Sequence, residues 1–157
     1  MKCRIRALLC AIAFAAMHAH AADDCGFVKK VGLPSRQQVA VVSSGVLEPC
    51  STGSYAVRVY STAHAAAGFD TDDYVTGALH ARDGTVTDAF TADLGARAPQ
   101  ALVVTTRSAG SGGYVGAQAY VTTSRTVRLV ASVDGLAADA DIVAALRQAI
   151  GKRRGAR

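Results

Sequence analysis

The sequence lacks the residue patterns by which common metal sites and catalytic sites are recognised. None of its four cysteines forms a Cys-x-x-Cys pair, and its four histidines follow no metal-ligand spacing. The acidic cluster of Asp70, Asp72 and Asp73 lacks EF-hand spacing, so a solvated loop is the simpler interpretation. Ser111 lies between two glycines, but in a strand-to-strand loop rather than in the strand-to-helix turn of a nucleophile elbow. We therefore expect no enzyme activity, no metal and no cofactor.

The sequence also lacks an apolar run long enough to span a bilayer, which needs about 20 apolar residues. The run from Ala7 to Met17 is shorter than this, and basic residues precede it. The following Ala19-His20-Ala21 supplies small residues at the −3 and −1 positions of a signal-peptidase site. The pattern predicts a signal peptide over residues 1–21 and export of the mature chain without a membrane span.

Basic residues are scarce on the body of the chain, although the formal net charge is +5. Loss of the signal peptide would remove Lys2, Arg4 and Arg6 and leave 14 basic against 12 acidic residues. Four further basic residues lie at the C-terminal end, so residues 22–151 carry 10 basic and 12 acidic residues. Nucleic-acid-binding domains cluster Lys and Arg on the folded body, and we therefore expect no nucleic-acid partner. Residues 22–151 are predicted to form a single domain, and residues 152–157 a basic, disordered tail.

Cleavage of the signal peptide leaves only two cysteines, Cys25 and Cys50, because Cys3 and Cys10 lie within it. A pair of cysteines in a small exported domain is predicted to form a disulfide in an oxidising compartment. A closed loop of this size is expected to stabilise the fold by roughly 3–4 kcal/mol. A metal site or a pair of reactive thiols is the less favoured alternative, because neither cysteine has a recognised ligand spacing.

Apolar residues recur mostly with the two-residue period of β-strands. Seven strands are predicted, over residues 38–42 and onward toward 46, 54–61, 73–81, 85–91, 101–107, 114–122 and 126–133. Arg82-Asp83-Gly84 is typical of a hairpin turn, and Ser124-Arg125 separates two strands that we expect to pair. After Asp139 or Asp141 the period becomes helical, and Gly151 is predicted to stop the helix. This order indicates an all-β antiparallel sandwich, or a barrel-like domain, with one short C-terminal helix.

Alternation within the strands assigns side chains to faces. Tyr55, Val57 and Val59 share one face of their strand, which we expect to be apolar. His80 alternates with a leucine and is interpreted as a solvent-facing residue. His64 is interpreted as a surface-loop residue.

The stretch Arg107-Ser108-Ala109-Gly110-Ser111-Gly112-Gly113-Tyr114 separates two predicted strands with small residues and a terminal phenol. Three glycines and two serines are more than a tight two-residue turn needs. Glycine permits positive φ angles and close approach of a partner, while serine and tyrosine supply hydroxyl groups. We interpret the stretch as a protruding loop suited to insertion into a polar cleft. The alternative is a flexible hairpin loop without a partner.

Five blocks of the chain form an ordered set of motifs. In chain order they are Gly45-Val46-Leu47-Glu48-Pro49, the stretch from Ser51 to Ser61, Arg82-Asp83-Gly84-Thr85, the loop from Arg107 to Tyr114, and the stretch from Ala131 to Asp141. Together they resemble the periplasmic inhibitors of invertebrate-type lysozyme. One block would be weakly specific, but five in one order over about residues 39–150 are specific. The resemblance implies a β-sandwich, a periplasmic location and a role in protecting peptidoglycan from lysozyme.

In this family a loop bearing Ser-Gly-x-Tyr enters the lysozyme cleft, and the matching positions here are Ser111-Gly112-Gly113-Tyr114. The resemblance therefore implies lysozyme-binding residues at these four positions and at Arg107, Ser108 and Gly110. Arg107 is expected to pair either with a cleft carboxylate or with a neighbouring strand of its own domain. The stretch Ser51–Tyr55 is a second candidate contact, and a β-turn with its tyrosine in the core is the alternative.

Two other functional classes are considered beside a lysozyme inhibitor. The first is an envelope module that binds cell-wall glycan, because loops of Gly, Ser and Tyr also suit sugars. A hydrolase that uses Ser111 is the least favoured class. A homodimer is left open as a further partner of the chain.

Overall fold

The computed structural model describes residues 25–33, 36–63 and 73–155. They form eight strands and one helix: β1 (Val28–Leu33), β2 (Gln38–Ser44), β3 (Thr52–Ser61), β4 (Tyr74–Asp83), β5 (Thr85–Ala92), β6 (Ala101–Arg107), β7 (Val115–Thr122), β8 (Val127–Leu136) and α1 (Ile142–Gly155). The predicted signal peptide, His64, Asp70 and Asp72 lie outside the described residues. Within the described residues, no helix combines the length and the apolar character that crossing a membrane requires.

The strands form two antiparallel sheets, with the strand orders β1-β2-β3-β4 and β5-β6-β7-β8. This arrangement confirms the predicted all-β sandwich with one C-terminal helix, and each of the seven predicted strands is present. Strand β1 was missed because Lys29 and Lys30 interrupt its apolar pattern, so that only Val31 and Leu33 are buried. Lysines on an edge strand are a common protection against pairing with another chain.

The main core lies between the two sheets. The first sheet contributes Tyr55, Val57 and Val59, all fully buried, which confirms the predicted apolar face of β3. The second sheet contributes Leu102 and Val104 from β6 to the same cluster. Burial of such side chains stabilises the fold by roughly 1.5–3 kcal/mol each, so this cluster holds the sheets together.

Helix α1 covers the outer face of the second sheet and contacts β8 and β7, and its Leu146 lies in one buried cluster with Val103 of β6. Strand β6 is therefore buried on both faces, which explains its continuous apolar run. The helix begins as predicted: Asp141 accepts a hydrogen bond from the backbone N–H of Ala144 at 2.9 Å, as an N-cap does.

The predicted helix stop at Gly151 was wrong, because α1 continues to Gly155. Gly151 does not adopt the positive φ angle that ends many helices, and a Cβ at this position would meet no neighbouring atom. The basic stretch predicted to be a disordered tail therefore begins inside the helix, and residues 152–155 have helical backbone.

The turn predicted at Arg82-Asp83-Gly84 does not form a hairpin. Strands β4 and β5 belong to different sheets, so this connection carries the chain from one sheet to the other. Gly84 adopts a φ angle of +89°, and its N–H donates a 2.7 Å hydrogen bond to the carbonyl of Ser51 instead of closing a two-strand turn. The arginine of this turn is buried, and its contacts are described below.

The predicted disulfide between Cys25 and Cys50 is present, with a Cα–Cα distance of 5.5 Å. It joins the segment before β1 to the connection between β2 and β3. Beside it, the Ser44 hydroxyl accepts a 2.8 Å hydrogen bond from the N–H of Phe27. These contacts fasten the start of the domain to the end of the sandwich at which the β2–β3 connection lies.

Candidate functional site

The stretch of small residues forms the connection between β6 and β7, which are neighbours in the second sheet. The N–H of Ser108 donates to the carbonyl of Tyr114 at 2.8 Å and closes the base of the loop. At its tip, the N–H of Gly113 donates to the carbonyl of Gly110 at 3.1 Å, which makes a tight turn. Gly113 has a φ angle of +55°, a conformation that other residues adopt at a cost. The loop is therefore an ordered hairpin connection with internal hydrogen bonds.

The loop presents its polar groups to solvent. Ser111 and Gly112 are exposed, and Tyr114 is 55% exposed although it lies directly before a buried strand. The Tyr114 ring lies against Gly112, where a Cβ would overlap the ring. A phenol held at the loop base and a serine hydroxyl at its tip give two hydrogen-bonding groups on a narrow support.

A substitution at Gly112 tests this packing. We expect Gly112→Val to displace the Tyr114 ring, because the new side chain would occupy the space of the ring. The ring is exposed and free to rotate away, so thermal stability should change little while binding to a partner weakens by about tenfold. Binding to lysozyme, the partner that the resemblance implies, and the melting temperature would be measured together. Gly151→Val, at an exposed helix position, is the matched control; equal binding by both variants would contradict the expected role of Gly112.

Arg107 stands at the base of the loop and is exposed. Its Nη1 lies beside Gly113, 3.5 Å from the position that a Cβ would take. Among the described residues no carboxylate pairs with its guanidinium. Of the two roles expected for Arg107, a pair within its own domain is therefore not formed with any described residue, and its exposed side chain lies beside the loop.

Gly84 holds the loop base against the first sheet. A Cβ on Gly84 would overlap the carbonyl of Arg107 and would lie 2.8 Å from the Cα of Ser108. Only glycine permits this approach of two backbones at a φ angle of +89°. The first residue after β4 is thus in direct contact with the strand end from which the loop departs.

Arg82 is the buried centre of this end of the sandwich, and sequence reasoning missed it. Its guanidinium donates hydrogen bonds to the carbonyls of Pro49 (2.9 Å), Cys50 (2.9 Å), Ser54 (3.1 Å) and Gly84 (2.6 Å). One side chain therefore joins the β2–β3 connection, the start of β3 and the crossover to the second sheet. The available signal was alternation along β4, since Arg82 shares the face of the buried Thr76.

Glu48 completes this network. Its carboxylate accepts hydrogen bonds from the N–H of Ser54 at 2.5 Å and from the Ser54 hydroxyl at 2.7 Å. Its Oε2 also lies 3.7 Å from Nη2 of Arg82. The two hydrogen bonds from Ser54, and then the charge of Arg82, hold the pKa of Glu48 below its usual value. The connection before β3 is therefore fixed by side-chain contacts at its centre and by the disulfide at its end.

The model of the family described as "periplasmic lysozyme inhibitor of I-type lysozyme" matches residues 25–150. The chain belongs to this family. The resemblance found in the sequence is thereby confirmed, and the match extends from the first disulfide cysteine to the C-terminal helix.

Two solved structures of this inhibitor family are similar to the chain. The crystal structure of PliI from Aeromonas hydrophila is 38% identical, has a TM-score of 0.68, and is matched over 77% of this chain and 99% of that one. The structure of A. hydrophila PliI in complex with Meretrix lusoria lysozyme is 39% identical, has a TM-score of 0.69, and is matched over 78% and 96%. No curated protein sequence matches the chain significantly.

The second candidate contact, Ser51–Tyr55, runs into strand β3 at Thr52. Tyr55 is fully buried, which confirms the alternative that its ring belongs to the core. Its hydroxyl bonds to the hydroxyl of Tyr120 and donates to Oε1 of Gln118 at 2.5 Å. Burial raises the pKa of Tyr55 to about 12 and raises that of Tyr120 further, so both phenols stay protonated at neutral pH.

The prediction that His80 faces solvent was wrong. Its ring lies between the sheets, with its centroid 4.4 Å from that of Tyr120 and 5.5 Å from that of Tyr55. The neighbouring Leu79 takes the outer face and is 70% exposed. Alternation placed these two side chains on opposite faces correctly, but the apolar residue is outside and the histidine inside. The His80 Nε2 atom is buried and has no hydrogen-bond partner within residues 25–33, 36–63 and 73–155.

Burial of His80 predicts a pH-dependent stability. Burial lowers the pKa of His80 below its usual value of 6.5, so the unfolded chain binds a proton that the folded chain does not. With respect to this group, the free energy of unfolding should therefore be highest above pH 6.5. It should fall as the pH drops from 6.5 through the lower pKa of the folded state. The pKa values of Glu48 and Asp88 are also lowered, but protonation of these carboxylates reduces the free energy of unfolding only below about pH 4.5.

Urea unfolding between pH 7.5 and pH 5 checks this expectation. His80→Phe keeps an aromatic ring and removes the titrating group, so the free energy of unfolding should no longer change with pH in this range. His64→Gln is the matched control, and its free energy of unfolding should still fall as the pH drops. A His80→Phe protein with an unchanged slope would show that another group is responsible.

Proposed function

We propose that this chain inhibits I-type lysozyme by placing the loop from Ser108 to Tyr114 in the active-site cleft of the enzyme. The observation that carries the proposal is the ordered loop itself: a serine hydroxyl and a phenol exposed on a narrow, glycine-rich support with a fixed base. Membership of the inhibitor family, and the complex of a similar chain with Meretrix lusoria lysozyme, support a lysozyme as the partner.

The chemistry of the cleft suits this loop. Glycosidases of this kind use a pair of carboxyl groups, one of them a protonated general acid, on either side of the scissile bond. The Ser111 hydroxyl is able both to donate to a carboxylate and to accept from a carboxylic acid. Tyr114 adds apolar contact area with little loss of side-chain entropy, because its ring already rests on Gly112. The loop blocks the substrate site and contributes no catalytic group, so the protein acts as an inhibitor and not as an enzyme.

The periplasm is the proposed location. The family is described as periplasmic, and the Cys25–Cys50 disulfide is stable in an oxidising compartment. Export by the predicted signal peptide, residues 1–21, would bring the inhibitor to the space that contains peptidoglycan. There it protects the cell wall from lysozymes that cross the outer envelope.

Muramidase assays on lysozymes of different classes test the function. We expect stronger inhibition of I-type lysozyme than of chicken-type lysozyme, because the blocks around the loop, as well as the loop, match the I-type inhibitor family. Inhibition constants would be measured for both classes with the same purified protein. Equal or reversed constants would contradict the expected selectivity. Binding to peptidoglycan without inhibition of either enzyme would instead support a glycan-binding module.

A further inference from the structure

A second exposed feature stands at the tip of the connection between β2 and β3. Val46 and Leu47 are adjacent and are 85% and 101% exposed, the two highest values among the exposed large apolar side chains of the described residues. They border an open groove of about 620 Å³ whose other wall is formed by residues 25–28. Single exposed apolar residues are ordinary, but an adjacent pair on a turn beside a groove is typical of an interaction site.

The backbone of this tip is held in an unfavourable conformation. Leu47 has a φ angle of +65°, in the left-handed region where its Cβ crowds the following carbonyl. Such strain persists where the surroundings impose it. Here the N–H of Gly45 donates to the carbonyl of Ser54 at 2.9 Å, and Glu48 is fixed to the same serine. The Leu47 side chain is therefore presented to solvent by a rigid turn, which reduces the entropy lost on binding.

The tip lies at the same end of the sandwich as the loop from Ser108 to Tyr114. The β2–β3 connection ends at Thr52, which pairs with Asp83 at the end of β4. The β6–β7 loop begins after Arg107, which pairs with Thr85 at the start of β5. Because Asp83 and Thr85 are separated only by Gly84, both connections lie at the same end of the sandwich. Gly84 joins them: its N–H bonds to the carbonyl of Ser51, and its backbone contacts that of Arg107. The two features thus belong to one continuous, rigid surface.

The size of the loop indicates that a second contact is needed. A stable protein–protein interface buries about 800 Å² on each partner and involves about 20–30 residues on each side. A seven-residue loop supplies only part of this surface. Groups next to the loop must supply the rest, and the tip at Val46 and Leu47 is the exposed apolar part of the adjoining surface.

We propose that Val46 and Leu47 form a second contact with lysozyme and pack against an apolar patch on the rim of its cleft. This proposal rests on the proposed function and deepens it. The loop contacts carboxyl groups that glycosidases share, whereas the tip contacts a surface outside the catalytic site. Discrimination between lysozyme classes therefore comes mainly from the tip.

The test compares inhibition constants of a tip variant and of matched controls. Leu47→Asn combined with Val46→Thr removes the apolar groups, and asparagine tolerates the left-handed conformation, so the melting temperature should stay the same or rise. Inhibition of I-type lysozyme should weaken by about tenfold or more, as the loss of an apolar contact at an interface does. Leu79→Thr, on the outer face of β4, is the control for an exposed leucine and should leave inhibition unchanged.

A loop variant, Ser111→Ala with Tyr114→Ala, separates the two hypotheses. If the tip variant inhibits like the unmodified protein while the loop variant is weakened, the tip proposal fails and the proposed function stands. If the unmodified protein inhibits no lysozyme, both fail. Light scattering that shows a smaller assembly for the tip variant would assign the tip to a second copy of the chain. Sedimentation of the unmodified protein, but not the tip variant, with phosphatidylglycerol–phosphatidylethanolamine vesicles would assign it to a membrane. Either result would overturn the proposal.

Discussion

Alanine at Ser111 and at Tyr114 is expected to weaken inhibition of I-type lysozyme by about 1–3 kcal/mol for each residue, or about 5- to 150-fold. Ser111 would lose the hydroxyl that we propose meets a cleft carboxyl group, and Tyr114 would lose the proposed aromatic anchor, whose ring rests on Gly112. Neither side chain supports the core, since both are exposed. The melting temperature should therefore stay within about 1 °C of that of the unmodified protein.

Matched controls lie at the opposite end of the sandwich. Ser124→Ala changes an exposed serine between β7 and β8, and Tyr74→Ala changes a tyrosine that is 52% exposed at the start of β4. Both controls should inhibit like the unmodified protein. Unchanged inhibition by a well-folded double variant at Ser111 and Tyr114 would place the binding surface elsewhere, and the tip at Val46 and Leu47 would be the next region to examine.

Replacement of Arg82 by methionine should lower the free energy of unfolding by about 2–4 kcal/mol. The substitution keeps most of the aliphatic volume but removes four hydrogen bonds. The carbonyl of Ser54 keeps the N–H of Gly45 and that of Cys50 keeps the Thr85 hydroxyl, so the main loss is at Pro49 and Gly84, where each acceptor that loses its donor costs about 1–3 kcal/mol. This is a large share of the 5–15 kcal/mol that stabilises a typical domain. Because Arg82 also holds Gly84 beneath the loop base, inhibition should weaken even under conditions where the variant is folded.

Urea unfolding and lysozyme inhibition would be measured for Arg82→Met and for Arg58→Met. Arg58 lies on the outer, exposed face of β3, so its replacement should change the free energy of unfolding by less than about 0.5 kcal/mol. Similar losses for the two variants would show that the hydrogen bonds of the buried guanidinium contribute little.

Much of the architecture could be predicted from local patterns. Period-two alternation identified seven strands and the inward face of β3, because side chains on a strand point to opposite faces in turn. Asp141 was one of two predicted helix caps, and the pairing of Cys25 with Cys50 followed from an even count in an exported chain. The loop from Arg107 to Tyr114 was found by its composition and its resemblance to a family motif, and its role at a lysozyme cleft remains a proposal.

Other features depend on contacts between distant parts of the chain. Alternation separates His80 from Leu79, but it does not say which of them faces the core. Arg82-Asp83-Gly84 has the composition of a hairpin turn, and only the partition of β4 and β5 into different sheets makes it a crossover. The sequence predicts a helix stop at Gly151, but this residue does not adopt a positive φ angle and the helix continues to Gly155.

The sequence by itself determined seven of the eight strands of the described residues, the disulfide, the exposed loop and the family to which the chain belongs. These features depend on local patterns, on the cysteine count or on an ordered set of motifs. Only the tertiary structure decided how the loop is supported. The supporting groups are Arg82, Glu48 and Gly84, whose contacts reach Pro49, Ser54 and Arg107 across large separations in the chain. A buried guanidinium and a close approach of two backbones become visible only when both sheets are in place, because hydrogen bonds and steric exclusion act between atoms that folding brings together.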